Sequence, residues 1–192
     1  MSSNKPSSTY NQDEKNTLLH IARASIEHGL ELGGPLLIDT LSYSEKLQQP
    51  RATFVTLKIN DTLRGCIGTL IAKEPLVNSI AHSAWSAAFE DPRFERLSMD
   101  EFDKISISLS ILSPAEPIEF DSETDLISKI RPGIDGLILE EGYNPCTFLP
   151  SVWESLPDAE IFLQHLKQKA GLPPSYWSES IKVERYTAEA IE

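Results

Sequence analysis

Cysteine is scarce in this 192-residue chain: Cys66 and Cys146 are the two it has. No C-x-x-C occurs, and two thiols cannot build a disulfide framework or fill a zinc site without His or carboxylate help. Positive charge is scarce as well, with 17 Lys and Arg against 29 Asp and Glu and a formal net charge of -12. Binding to phosphate backbones works by counterion release and needs clustered Lys and Arg, so nucleic acid is not expected as a ligand. Anionic membrane surfaces are disfavoured for the same reason. The basic residues that exist (Arg23, Lys58, Arg64, Arg93, Arg96 and Lys167 among them) are scattered over different predicted elements. Long apolar runs are missing too. The longest uncharged run, Pro75 to Phe89, contains Asn78, Ser79, His82, Ser83 and Ser86; it falls short of the roughly 20 apolar residues a membrane span requires. Met1 to Gln12 is polar, so neither a signal peptide nor a lipidation site is expected there, and the default is a soluble cytoplasmic protein. Absent as well are a Gly-rich phosphate loop, H-E-x-x-H, G-x-S-x-G and an EF-hand pattern. No metal or cofactor is expected.

What is present is a globular balance, 40% hydrophobic and 24% charged, on a chain long enough to bury a core without staples. Residues Met1 to Gln12 read as a loose tail, and the rest, 13–192, as a single domain. From Asp13 to about Leu32, Leu18, Ile21, Ala22, Ile26 and Leu30 recur at helical spacing until Gly33-Gly34-Pro35. Leu36 to Pro50 has no period and reads as a loop. Phe54 to Ile59 and Leu63 to Thr69 read as a β-hairpin around Asn60-Asp61-Thr62. Pro75 opens a helix with a broad apolar face, stopped by Asp91-Pro92-Arg93. Ile105 to Ile111 alternates isoleucine or leucine with serine, which predicts a strand with the serines on one face. Further on come a short helix over Thr124 to Ile130 and strands at Leu137 to Leu139 and Cys146 to Leu149. A helix capped by Asp158 and closed by Gly171 follows, then a last strand over Ile181 to Tyr186. Strands with hairpin links and interspersed helices predict an α+β fold with a mainly antiparallel sheet.

Leu63-Arg64-Gly65-Cys66-Ile67-Gly68-Thr69 carries the strongest chemical signal. Glycine inside a strand marks a bulge or a close backbone approach. Alternation puts Arg64 and Cys66 on one face, about 6–7 Å apart along the strand, where a guanidinium favours the reactive thiolate. Cys66 reads either as that thiol or as a small packing residue. The histidines, His20, His28, His82 and His165, all fall in predicted helices, so a Cys-His pair is not indicated. Asp91 reads as a partner for Arg93 or Arg64, or as a group aimed into a cleft. Ser106, Ser108 and Ser110 read as a polar lining or as the solvated face of a sheet. Trp153, Trp177 and Tyr186 read as packing anchors.

Several segments together resemble the AMMECR domain family, protein A of the AmmeMemoRadiSam set. They are Thr53-Phe54-Val55-Thr56-Leu57, the Leu63 to Thr69 motif, Ala87 to Phe94, Ile107 to Leu112, Gly133 to Leu137, Leu149 to Trp153 and Leu166 to Leu172, in family order from about residue 15 onward. The resemblance implies a two-lobed α+β domain with an antiparallel sheet flanked by helices, lobes of unequal size, and a cleft near the Arg64-Gly65-Cys66-Ile67-Gly68 strand. It implies a context beside a Memo-like protein and a radical-SAM protein, but no established reaction. On that footing Cys66 and Arg64 are the candidate catalytic pair, and Gly65, Gly68, Thr69, Asp91, Arg93 and Ser110 the candidate substrate contacts. The competing reading is a non-catalytic adaptor or regulatory binding protein.

Overall fold

The computed structural model of the protein describes residues 8–142 and 144–192. Along the chain run α1 (Gln12–Leu32), a 3-10 turn (Thr40–Ser42), α2 (Glu45–Gln48), β1 (Thr53–Ile59), β2 (Thr62–Gly68), α3 (Leu76–Phe89), α4 (Met99–Phe102) and β3 (Ile105–Leu112). Then come β4 (Glu116–Pro117), α5 (Glu123–Lys129), β5 (Gly136–Glu141), β6 (Asn144–Phe148), a second 3-10 turn (Pro150–Glu154), α6 (Ala159–Lys169), β7 (Lys182–Tyr186) and β8 (Ala188–Ile191). The strands form two four-stranded sheets, in the orders β2-β1-β3-β8 and β4-β7-β5-β6. The fold is α+β with antiparallel sheets, as the hairpin links predict. Two compact units result: one runs to Leu112 and takes back Glu189–Glu192, the other is Ser113–Ala188.

In the first unit, α1 begins at a capping box. The Asn11 side chain accepts from the Glu14 amide, and the Glu14 carboxylate accepts from the Asn11 amide, each at 2.9 Å. Its buried stripe, Leu18, Ile21, Ala22 and Ile26, packs against α3. The buried side of α3 carries Ala81, Ala84, Ala87 and Ala88; side chains this short let the helix lie close to the sheet. Val55, Leu57, Leu109 and Ile111 complete the core from β1 and β3. On the opposite face of the same strands lie Phe54, Thr56, Lys58, Ser106, Ser108 and Ser110, half-buried or exposed. The hairpin turns at Asn60 and Asp61, whose φ angles of 48° and 61° are the left-handed pair of a two-residue turn.

The second unit packs Leu137, Leu139 and Val183 of its sheet against Leu126 and Ile130 and against Phe162, Leu163 and Leu166 of α6. Trp153 stacks on Phe162 with ring centroids 3.8 Å apart, and its indole N–H donates to the Asp135 carbonyl. Lys167 is fully buried; its ammonium meets the Glu123 carboxylate, the Pro174 carbonyl and the face of Trp177. The anchoring expected of Trp153 and Trp177 is therefore met inside this unit.

The structure adds local detail that the sequence pattern does not carry. The loose tail expected over Met1 to Gln12 lies outside the described residues for 1–7. From residue 8 the chain is tied down: Ser8 and the Thr9 amide bind the Glu189 carboxylate, and Tyr10 is buried. Leu36 to Pro50 contains the first 3-10 turn and α2, elements too short to show a period. Strand β8 went unread because Ala188-Glu189-Ala190-Ile191 has one large apolar side chain, and its strand form depends on β3 beside it.

Candidate functional site

Strand β2 lies at the edge of its sheet. Gly68, Ile67, Cys66 and Gly65 face Phe54, Val55, Thr56 and Leu57, and then Leu63 faces Lys58. Arg64 is thus the extra residue of a β-bulge. The alternation that puts Arg64 and Cys66 on one face assumes an unbroken strand, and the bulge interrupts it. The Arg64 guanidinium is taken up by Glu101, from Nε to Oε1 at 2.7 Å and from Nη2 to Oε2 at 3.1 Å, and it also donates to the Glu95 carbonyl. Such a bidentate pair is geometrically demanding and strong. Glu101 is itself fixed by the capping box of α4, where its carboxylate accepts from the Ser98 amide. Arg64 above all, then the Ser98 amide, pulls the Glu101 carboxyl down to about 2.

Cys66 is held differently. Its N–H and C=O point away from β1, off the free edge of the sheet. The N–H donates to Asp91 Oδ2 at 2.9 Å, and Arg93 Nη2 donates to the Cys66 carbonyl at 3.3 Å. Asp91 and Arg93 are joined by three further bonds, Nε to Oδ1 at 2.9 Å, Nη2 to Oδ2 at 2.7 Å and the Arg93 amide to Oδ1 at 3.1 Å. The pair occupies the edge of β2 as a neighbouring strand would, satisfying groups that are otherwise a liability. Asp91 is 4% exposed, and the Arg93 hydrogen bond holds its carboxyl far below the usual range despite burial. Arg93, half-exposed, is raised chiefly by Asp91, with the Cys66 sulfur a lesser contributor. Of the two arginines, Arg93 is the one that hydrogen-bonds Cys66 itself.

The two motif glycines serve the chain's own packing. A Cβ on Gly65 would fall 2.1 Å from the Ala87 carbonyl oxygen of α3, and one on Gly68 would fall 2.1 Å from the Thr53 carbonyl oxygen of β1. The close approaches expected of both residues are thus to backbone of the same unit. Thr69 closes a local turn, its hydroxyl accepting from the Ile71 amide. Ser110 stands in register with Phe54, one row along from the Ser108–Thr56–Cys66 row. The structure therefore gathers Cys66, Asp91 and Arg93 into one hydrogen-bonded group, binds Arg64 to α4, and leaves Thr69 and Ser110 outside that group. His82 pairs with Glu74 at the surface, while His20 and His28 belong to α1 and His165 to α6.

Sequence reasoning missed Thr56 and Glu101. Thr56 donates from Oγ1 to the Cys66 sulfur at 3.3 Å. The S-x-x-E spacing of Ser98 and Glu101 is a legible capping signature, but nothing in it names Arg64 as the second client of the carboxylate. Among the described residues no cluster of His, Cys, Asp and Glu is arranged to hold a metal ion, and no helix is long and apolar enough to cross a membrane. A concavity of about 320 Å³ lies wholly in the second unit, lined by Ile138, Glu140, Lys182 and Glu184 among others; it contains none of the motif residues.

Residues 19–191 match the family described as AMMECR1. A protein of Methanothermobacter thermautotrophicus is 40% identical over 185 residues, covering 93% of each chain. Protein MJ0810 of Methanocaldococcus jannaschii is 38% identical over 188 residues, covering 94% of this chain and 90% of its own. The crystal structure of the uncharacterized protein PH0010 from Pyrococcus horikoshii is similar at a TM-score of 0.81 and 36% identity, over 91% of this chain and 88% of that one.

Proposed function

Since the chain belongs to the AMMECR1 family, we propose that it acts in the cytoplasm in a modification pathway with a Memo-like protein and a radical-SAM protein, as an enzyme or an enzyme's partner, with Cys66 as its reactive group. The observation that carries this reading is the bracketing of Cys66. Its amide and carbonyl are both bonded by the Asp91–Arg93 pair, so the thiol is presented from a fixed backbone, and it remains half-buried rather than sealed in the core. Positioning of this kind is what a nucleophile requires. Cys146 differs in its surroundings: it is buried, and burial pushes that thiol up. In this reading Asp91 and Arg93 act on Cys66 through its backbone, and Arg64 with Glu101 fixes the preceding turn of the strand. Nucleic acid is not a ligand in this reading, given the net charge of -12.

Iodoacetamide labelling of the folded protein followed by peptide mapping tests the assignment. Cys66 is expected to label first, with Cys146 protected; labelling at Cys146 first, or none at Cys66, sinks it. Co-purification with the two partner proteins and intact-mass analysis of this chain then separates catalyst from substrate, since a substrate changes mass.

One observation favours the adaptor reading as a second possibility: the guanidinium of Arg64 and the Asp91 carboxylate are already engaged within the chain. If Cys66→Ser leaves both partner binding and pathway output unchanged, the clamped strand is a binding edge and the thiol has no chemical role.

A further inference from the structure

The concavity of about 320 Å³ in the second unit belongs to the outward face of its sheet. Pro117 stands opposite Glu184, Glu184 opposite Ile138, and Lys182 opposite Glu140. Opposed residues of antiparallel strands share a face, so these side chains lie on one side of the sheet. Leu137, Leu139 and Val183 alternate with them and form the core on the other side. Both borders of the concavity are fixed. The Ile118 amide donates to the Val183 carbonyl at 2.9 Å, which anchors the segment carrying Glu119. The hydroxyls of Tyr176, Ser178 and Ser180 all donate to Oε1 of Glu141, which anchors the segment carrying Glu179. The space is thus preformed, at the small end of ligand-sized cavities.

Its charge is lopsided. Among the described residues that line it, Glu119, Glu140, Glu179 and Glu184 stand against one cation, Lys182. None of the four carboxylates is in a salt bridge among the described residues. Nor do they converge on a point, since no group of His, Cys, Asp and Glu among the described residues is arranged to hold a metal ion. Carboxylates spread around an apolar strip of Ile138 and Pro117 fit a ligand whose positive charges are also spread, along an apolar stem. An extended peptide gains little here, because β4 is two residues long and Pro117 has no N–H to offer an added strand. We propose that this cavity binds a linear aliphatic polyamine, with its ammonium groups on the glutamates and its methylenes along Ile138 and Pro117. Aliphatic ammonium groups are charged at neutral pH. The site is independent of Cys66 and of its reactivity.

The test is calorimetric titration of the full chain with spermidine, at about 50 and 150 mM salt because screening weakens exposed pairs. One saturable site is expected, with backbone amide shifts in NMR spectra at Ile138, Glu140, Lys182 and Glu184. Glu140→Gln combined with Glu184→Gln is expected to weaken binding about tenfold, through the loss of two solvent-facing ion pairs. Lys182→Ala is expected to tighten it about two- to fivefold, a gain that misfolding cannot imitate. The net charge of -12 attracts any cation. Glu27→Gln combined with Glu31→Gln therefore serves as the control: both residues are exposed, on α1 of the first unit, and the variant removes as much charge without touching the cavity. It is expected to bind as the parent does. Equal losses in the two double variants would mean a diffuse field rather than a site, and that outcome overturns the proposal. So does the absence of saturable binding in the parent, or amide shifts confined to other segments. Displacement of spermidine by magnesium ion at equal ionic strength overturns it as well, as does a lysine-rich peptide that binds more tightly than spermidine.

Discussion

The two units solve the same architectural problem, a four-stranded sheet covered by helices, with different materials. The first packs the alanines of α3 against its sheet, and its ion pairs Arg64–Glu101 and Asp91–Arg93 stand at the free edge of β2. The second fills its core with aromatics, Trp153 flat on Phe162 and Phe148 edge-on to it, and sets a buried lysine and a buried aspartate within it. Small residues permit close backbone approach but bury little area each, whereas aromatics bury much and tolerate looser backbones. The first unit therefore lets β2 and α3 approach closely, and the second is filled by stacked rings. The signature segment lies in the unit with the close approach.

The contrast breaks most readily in the second unit. Trp153→Ala removes the stacked ring and orphans the Asp135 carbonyl, so it should cost about 3–5 kcal/mol, read as the shift in a denaturant midpoint. A loss under about 1 kcal/mol would mean the aromatic core is not what holds that unit. Next comes Gly65→Ala in the first unit. One methyl aimed at a helix carbonyl is overpacking against backbone, which cannot rotate away, and should cost about 1–3 kcal/mol; an unchanged melt would show that β2 and α3 are not packed as closely as described.

Acid sharpens the comparison at an intermediate scale. Glu101 is lowered from 4.5 to about 2 by Arg64. A depressed folded value stabilises above the unfolded value and loses that stability as pH falls, so the loss belongs between about pH 4.5 and 2. Asp91 acts in the same direction. Allowing for the 31% exposure of the Glu101 side chain, the Glu101 part amounts to about 1–2 kcal/mol. Hydrogen exchange at the amides of β2 should report it first, and Glu101→Gln should flatten that dependence; equal acid loss in both units would remove the distinction. The smallest effect is expected at the exposed pair Lys129–Asp125 on α5. Lys129→Ala should cost no more than about 0.5 kcal/mol, and a thermal melt displaced by many degrees would show that surface charge in the second unit matters as much as the edge clamps of the first.

Much of this protein was legible from composition and period alone. The helices over α1, α3 and α6 announce themselves by apolar spacing and caps, the hairpin by Asn60-Asp61, and β3 by its serine alternation, because local propensity and burial agree there. The motif glycines likewise mark close backbone approach before any coordinates are known. What only the tertiary structure decided is who meets whom. A single register shift puts Arg64 in a bulge and delivers it to Glu101, 37 residues away, while Asp91 and Arg93 close on the backbone of Cys66 rather than on its thiol. Thr56, an unremarked strand residue, becomes the hydrogen-bond donor to the sulfur. Strand pairing and edge capping join residues far apart in sequence, and the strength of each contact depends on distances of a few tenths of an ångström that no local pattern encodes.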